Sequence, residues 1–450
     1  MIRDIVQILD SFTATRARKP ERTTPTFRAV GLGPFDEFEI RLRPLTVLIG
    51  KNSVGKSLAM TAMWLLASAR PEGPLADDNF VRKFAERRDE TTLRDLIIHA
   101  AYNYLKAIAE GVYKASREIT ALRGSRLEIT GATGRKLEIE VAEKEALIRR
   151  DDITPIFAQV EVIKDGSKFR VSYGYSIDIT TESLVDVVAG VTLFVHLVYH
   201  LELYPWHGLY LPPFTAPHFL VDGRSGLIRA ARPWARLELG FVDIEYLRSY
   251  YMLSEEARSL KPSEVFQGFL KELGVEKVEA VVESGYVRLY VELWNGVKMP
   301  IERAPSGIRE ALLPAIALEA WPNVLFIEEP EAHLHPAAIV KFAELLAHSV
   351  NRGDRWVVLS THSDFLLSKL DNLVKASILD KDKLRKLGLS ETSVLPREKI
   401  AVYLVKADRE RKRSTVEELP VDEEGISEYE FSKVSEELLN ESSDITLLRT

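Results

Sequence analysis

Cysteine is absent from the 450 residues, and glutamine occurs only at Gln7, Gln159 and Gln267. The missing thiols exclude disulfides and thiolate metal centres. Few thermolabile side chains beside 28% charged residues fits a protein from a hot environment. There is no excess of positive charge: 60 Lys and Arg stand against 67 Asp and Glu, a net charge of -7. Nucleic acid therefore feels no global attraction, and any DNA-binding surface would have to be a local patch. No apolar run is long enough to span a bilayer. The nearest, Val187 to Leu201, carries His196 and His200 and falls short of the roughly 18–20 residues needed. It reads as a buried core helix, or as an apolar contact surface for a partner. The start, Met1-Ile-Arg-Asp-Ile5, shows neither an apolar signal segment nor a small-residue cleavage site, so a soluble, cytoplasmic chain without a membrane partner is expected. Internal repeats and coiled-coil heptads are missing too, which excludes long helical arms.

What the sequence does contain is a complete G-x-x-x-x-G-K-S pattern, Gly50-Lys51-Asn52-Ser53-Val54-Gly55-Lys56-Ser57. An apolar strand (Leu45 to Ile49) precedes it and a helix starting at Leu58 follows, which is the context the pattern needs. Its glycines let backbone N–H groups wrap a polyphosphate, and the helix N-terminus adds its positive end. Lys56 would reach the β- and γ-phosphates, and the Ser57 hydroxyl would ligate Mg²⁺. A nucleoside triphosphate is the expected ligand.

With 46% hydrophobic residues the chain can bury a large core in two or three folding units. Residues 1–75 read as a short amphipathic helix (Ile5, Ile8, Leu9, Phe12), a basic stretch from Arg16 to Arg22, strands from Phe27 to Ile49, and the phosphate loop. Residues 76–217 read as a mixed insertion. Helix over about 78–120 gives way to strands at Arg126–Ile129, Lys136–Val141, Phe157–Ile163 and Lys168–Ile179. Asp165-Gly166 forms a hairpin turn there, an apolar helix covers 184–203, and an aromatic, Pro-rich connector runs from Tyr204 to Pro217. Residues 218–303 form a connecting lobe with helix over about 243–273 and three strands after it. Residues 304–390 alternate helices with apolar strands. Residues 391–450 form a small extension with a strand near 400–406 and a helix near 428–440.

Three further motifs carry chemistry. The first is Val324-Leu-Phe-Ile-Glu328-Glu329, a buried strand ending in two carboxylates. Metal-dependent phosphoanhydride hydrolysis needs such a pair. One acid (Glu328) orders the Mg²⁺ shell and the other (Glu329) polarises the attacking water. Adjacent side chains alternate along a strand, so both can serve one site only where the strand is ending. The alternative is a solvated acidic turn. The second is Trp356-Val-Val-Leu-Ser-Thr-His362, another strand tip, where a histidine can hydrogen-bond a γ-phosphate. The third is Pro305-Ser306-Gly307 at the start of an apolar helix, either an anion site or simply a helix cap.

These four motifs, in this order, resemble the ABC-type ATPase superfamily, and its RecF, SMC and OLD branch more than its transporters. The residues carrying the resemblance are Pro44 to Ser57, Ile327-Glu-Glu-Pro-Glu-Ala-His-Leu-His-Pro336 and Ser360 to Leu367. The resemblance implies an α/β P-loop NTPase head with an antiparallel β subdomain. In it two ATP molecules lie between two heads, each held by Gly50 to Leu58 of one chain and by Ser306 and Gly307 of the other. It makes Glu328 the Walker B acid, Glu329 the catalytic base, His362 the switch histidine and Glu331 to His335 a loop at the dimer interface. His333-Leu-His335 alone could suggest a metal site; the resemblance favours interface packing. The signature reads Pro-Ser-Gly-Ile-Arg rather than Leu-Ser-Gly-Gly-Gln, and a Q-loop glutamine is not placed. Asp222-Gly-Arg224-Ser-Gly226 is similar to an arginine-containing stretch near the nucleotide in related ATPases; a surface arginine in a turn is the alternative.

The function expected from this resemblance is an ATPase with ATP and Mg²⁺ as cofactors. It would form a homodimer through an ATP sandwich and drive a separate nuclease or toxin subunit, or DNA, in genome maintenance or phage defence. Three alternatives stand. An OLD-like nuclease would need a C-terminal Toprim domain, for which only Asp380-Lys-Asp382 offers a D-x-D. A transporter subunit is opposed by the long segment between Ser57 and Ser306. A slow switch or scaffold is opposed by the presence of both acids. The basic run Arg409 to Arg413 could touch phosphates, though Glu417-Glu418 soon follows.

Overall fold

A computed structural model describes residues 24–68, 75, 77–173, 176–181, 183–203, 217–230, 239–283, 285–320, 324–353, 355–427 and 440–441. The expected helix near the N-terminus, the basic stretch after it, the connector over 204–216 and most of the helix near 428–440 lie outside these residues.

In chain order, β1 (Thr26–Val30) and β2 (Glu37–Arg41) form a hairpin, and β3 (Leu45–Ile49) leads into the phosphate loop and α1 (Lys56–Ser68). Then come α2 (Asp78–Arg87), α3 (Glu90–Glu118), β4 (Arg126–Thr130), β5 (Lys136–Val141), β6 (Ala146–Asp151), β7 (Glu161–Asp165), β8 (Lys168–Ser172), β9 (Ser176–Thr180) and α4 (Leu184–Leu203). After them stand β10 (His218–Leu220), α5 (Arg224–Ala230), α6 (Phe241–Glu256), α7 (Glu264–Glu272), β11 (Val275–Glu283), β12 (Tyr286–Leu293) and β13 (Lys298–Pro300). The last part holds α8 (Ser306–Glu319), β14 (Val324–Glu328), α9 (Pro336–Asn351), β15 (Trp356–Thr361), α10 (Asp364–Ala376), α11 (Lys381–Lys386), β16 (Ile400–Asp408), β17 (Arg413–Leu419), β18 (Val421–Asp422) and β19 (Gly425–Ile426).

The chain divides into two compact units. One comprises the described residues of Met1–Leu42, Thr61–Pro217 and Glu410–Arg413; the other comprises those of Arg43–Met60, His218–Arg409 and Ser414–Thr450. The first unit contains a five-stranded antiparallel sheet in the order β2-β1-β4-β5-β6. β1 and β4 alternate buried and outward residues, Phe27, Ala29, Leu127 and Ile129 facing in, as a sheet with one covered face requires. A second, three-stranded sheet, β7-β8-β9, carries the expected Asp165-Gly166 turn, with Asp165 opposite Lys168. The helix expected over 184–203 is α4, and it packs against α3. Tyr104 and Tyr199 stack there with centroids 4.8 Å apart.

Two local expectations fail in this unit. Phe157–Ile163 is not one strand: Thr154–Gln159 forms a 3₁₀ turn and the strand starts at Glu161. Pro155 sits at the start of that turn, where its missing N–H costs nothing. The Asp151 carboxylate accepts from the N–H groups of Ile153 and Thr154, bending the chain before it. Lys168–Ile179 is likewise two strands that fold back on each other, Val171 opposite Ile177.

The second unit is built on a six-stranded sheet in the order β10-β14-β15-β3-β16-β17. The pairs β10–β14, β14–β15, β15–β3 and β3–β16 are all parallel. β3 and β14 are buried at every position, which is why they read as continuous apolar runs rather than alternating ones. This is the α/β fold of a P-loop NTPase. Such a sheet places ligands outside the carboxyl ends of its strands. The phosphate loop, the acid pair and His362 follow the ends of β3, β14 and β15, three adjacent strands.

Candidate active site

The phosphate loop is shaped by three residues with positive φ: Gly50 at 145°, Ser53 at 64° and Gly55 at 102°. At Gly50 a glycine is obligatory, because a Cβ there would stand 2.3 Å from the Val405 carbonyl oxygen of β16. Lys56 opens α1, and its Nζ donates to the carbonyls of Gly50 (2.8 Å) and Lys51 (2.9 Å). Burial lowers the Lys56 pKa, while Glu329, Glu331 and Glu328 oppose that shift. The lysine thus sits in the field of the carboxylates that follow β14. A cavity of about 690 Å³ lies beside the loop, lined by Gly50, Asn52, Val54, His362, Leu404 and Lys406 among others. Ligand pockets fall in the range of about 300–1,000 Å³.

Glu328 is the last residue of β14, and its carboxylate is buried. Desolvation raises its pKa, opposed by hydrogen bonds from the Asp222 N–H and the Ser57 hydroxyl. The Asp222 bond is 3.1 Å long. Ser57 and Glu328, the two residues proposed for Mg²⁺, are therefore in direct contact. A donor set of one hydroxyl and one carboxylate oxygen suits a hard cation that keeps most of its shell for phosphate and water. Among the described residues no group of three or more acidic, histidine or cysteine side chains forms a metal cage.

Glu329 lies just beyond the strand and has φ 41°, a left-handed conformation unusual for a residue with a Cβ. That reversal lets two neighbouring acids serve one site: Glu328 meets Ser57, while Glu329 Oε1 lies 3.2 Å from His362 Nδ1. Glu331 ties the two strand ends together. Its Oε1 accepts from the Thr361 hydroxyl (2.5 Å) and the His362 N–H (3.1 Å). The sequence places Glu331 only in the expected interface loop and gives Thr361 no role of its own; the one signal for this bond is their position beside the acid pair and the histidine.

Ser306 and Gly307 open α8. A Cβ on Gly307 would stand 2.8 Å from the His333 carbonyl oxygen, so the signature rests on the loop that follows the acid pair. His333 in that loop has φ 60°. His335 caps α9, its Nδ1 accepting from the Ala337 N–H. Arg224 is no surface arginine. It is fully buried and donates to the backbone carbonyls of Leu220, Val221, Glu310, Glu328 and Glu329. Those bonds occupy its guanidinium from within the protein. Asp380, the first acid of the D-x-D, caps α11 by accepting from the Lys383 N–H, and Asp382 pairs with Arg385.

Residues 238–368 match the family described as AAA domain, putative AbiEii toxin, Type IV TA system. No curated protein matches the chain. Similar solved structures include an SMC head bound to the C-winged helix domain of ScpA (12% identity, 88% of this chain and 97% of that chain, TM-score 0.39). The SMC head domain from Thermotoga maritima is similar at 11% identity over 88% of this chain and 98% of that chain, with a TM-score of 0.36. A head domain with an extended coiled coil, bound to the C-terminal domain of ScpA and derived from Pyrococcus furiosus, gives 11% identity, 93% and 100% coverage, and a TM-score of 0.39. Identities and TM-scores this low leave function to the site itself. The parallel sheet and the order of the motifs along it are those of a P-loop NTPase fold, and residues 238–368 are similar to that AAA domain.

Proposed function

We propose that this chain binds ATP with Mg²⁺, hydrolyses it, and does so as a head-to-head homodimer. The observation that carries the reading is the pair of contacts after β14: Glu328 on Ser57, and Glu329 on His362 with Lys56 nearby. Gly50 to Leu58 hold the triphosphate, Lys56 leaving the loop carbonyls to meet the β- and γ-phosphates. Ser57 and Glu328 would hold Mg²⁺, which when bound neutralises charge on the phosphate oxygens. Glu329 accepts a proton from the attacking water at a carboxylate oxygen. His362, oriented through its backbone by Glu331, donates toward the γ-phosphate from its ring. Ser306 and Gly307 of the second copy complete the phosphate shell.

The family description, which names a putative toxin of a type IV toxin–antitoxin system, supports a setting in defence; any nuclease activity would fall to a separate partner protein. The capping role of Asp380 speaks against an OLD-like nuclease within this chain. Among the described residues no helix is long and apolar enough to cross a membrane.

The test is phosphate release from ATP by the purified chain and by Glu329→Gln. Loss of a general base costs about 10²–10⁴ in rate, so the variant should hydrolyse that much more slowly while binding ATP normally. An unchanged rate removes Glu329 from the chemistry and the reading with it.

A further inference from the structure

Arg224 and Glu310 lie outside the groups assigned to ATP chemistry, yet they join two of its parts. Arg224 Nη1 donates to the carbonyls of Glu328 (2.6 Å), Val221 (2.8 Å) and Leu220 (3.2 Å), and Nη2 donates to Glu329 (3.0 Å). Nε donates to the backbone carbonyl of Glu310 (2.9 Å) and lies 3.2 Å from Glu310 Oε2. The side chains are 0% and 2% exposed. Tyr246, also fully buried, lies close enough to feel both charges, and its hydroxyl has no hydrogen-bond partner among the described residues. In so dry a place a lone charge is costly, so each ion holds the other.

The availability of the Glu310 carbonyl has a cause in the sequence. In an α-helix the carbonyl of residue 310 accepts the N–H of residue 314. Residue 314 is a proline inside α8, and proline has no N–H to give. The Glu310 carbonyl is thereby freed from the helix, and Arg224 Nε takes it. Glu310 stands one turn beyond Ser306 and Gly307. One helix thus carries both the signature and the anchor of the arginine that grips the peptide groups of both acids. A second contact runs in parallel, Gly307 packing on the His333 carbonyl. Glu329, with its left-handed backbone, is the residue whose orientation most needs such support.

We infer that Arg224 and Glu310 are positioning residues that couple the signature helix to the acid pair of the same chain. A shift of α8, when its Ser306 meets a triphosphate held by another copy, moves the Glu310 anchor. Arg224 passes that movement to the peptide groups of Glu328 and Glu329. Engagement at one composite site is in this way felt at the other. The inference rests on the ATPase reading above, and the experiment separates the two.

Single-turnover hydrolysis, ATP affinity and thermal midpoint are measured for Glu310→Gln, Arg224→Lys and Pro314→Ala, with Glu329→Gln as reference. Glu310→Gln keeps the shape and removes the charge. Mutations along a coupling network shift it enough to change a rate about three- to thirtyfold, and Glu310→Gln and Arg224→Lys should lose hydrolysis to that extent while ATP affinity holds. Pro314→Ala supplies an N–H that competes with Arg224 for the Glu310 carbonyl. It should raise the thermal midpoint, since proline disfavours helix interiors, and still slow hydrolysis. A purely structural brace predicts that stability, affinity and rate move together in every variant, and that pattern overturns the inference. Wild-type hydrolysis in both Glu310→Gln and Pro314→Ala, beside an inactive Glu329→Gln, also overturns it and leaves the ATPase reading standing. An active Glu329→Gln overturns the ATPase reading itself.

Discussion

Glu328 is a carboxylate kept in a place that disfavours its charge, and this has a consequence for stability. Its pKa is raised by burial above the ordinary 4.5. A raised carboxylate contributes stability that is complete below the unfolded-state pKa and lost as pH climbs through the folded-state pKa. The charged form of Glu328 is therefore disfavoured in the fold relative to the unfolded chain. Glu328→Gln keeps the acceptor for the Asp222 N–H and removes the charge. It should raise the thermal midpoint at pH 7, by roughly 1–2 °C for each kcal/mol recovered in a chain of this length. The gain should shrink as pH falls toward the ordinary carboxylate range. Thermal melts of both proteins across that range check it; a gain that stays constant with pH would contradict the account. At this scale the sequence was legible where partners are neighbours along the chain. Lys56 and Ser57, and Glu328 and Glu329, announce themselves in short motifs. Arg224 does not, because its acceptors come from residues 220–221, 310 and 328–329. Its loop resembled a site, but only the fold shows that its guanidinium faces backbone rather than solvent.

Among elements, α8 is the one whose fit is tightest at a functional point. A Cβ on Gly307 would meet the His333 carbonyl oxygen at 2.8 Å, closer than real Cβ atoms stand to backbone. Gly307→Ala must push the helix start or the loop aside, and overpacking of this kind costs about 1–3 kcal/mol. The expected outcome is a lowered thermal midpoint together with slower ATP hydrolysis, because the displaced loop begins at Glu329. Full stability with a full rate would show that the loop gives way freely. The strands that bear the site were readable from sequence for a physical reason: β3, β14 and most of β15 are buried on both faces and carry unbroken apolar runs. β6 was missed because Ala146–Asp151 is half polar and has no buried residue to mark an inward face. The partnership of β1 with β4 was missed for another reason: Thr26 pairs with Thr130 across about a hundred residues, and no local pattern records which distant edge a strand will choose. Residues 126–151 read as part of an insertion, yet they complete the sheet that β1 and β2 begin.

For the whole molecule, the arrangement of groups leaves a division of labour between copies. Lys56, Ser57, Glu328, Glu329 and His362 gather after three neighbouring strands, whereas Ser306 and Gly307 rest on the loop beyond the acid pair. In the proposed dimer each copy supplies the first set to one ATP and the second set to the other. The net charge of -7 gives no general attraction to DNA, so work on nucleic acid would fall to a partner or to a local patch. Light scattering of Glu329→Gln, with and without ATP and Mg²⁺, tests the composite site most directly. The predicted result is the mass of one 50.9 kDa chain without nucleotide, and twice that mass with ATP. A variant that binds ATP and keeps the mass of a single chain would contradict it.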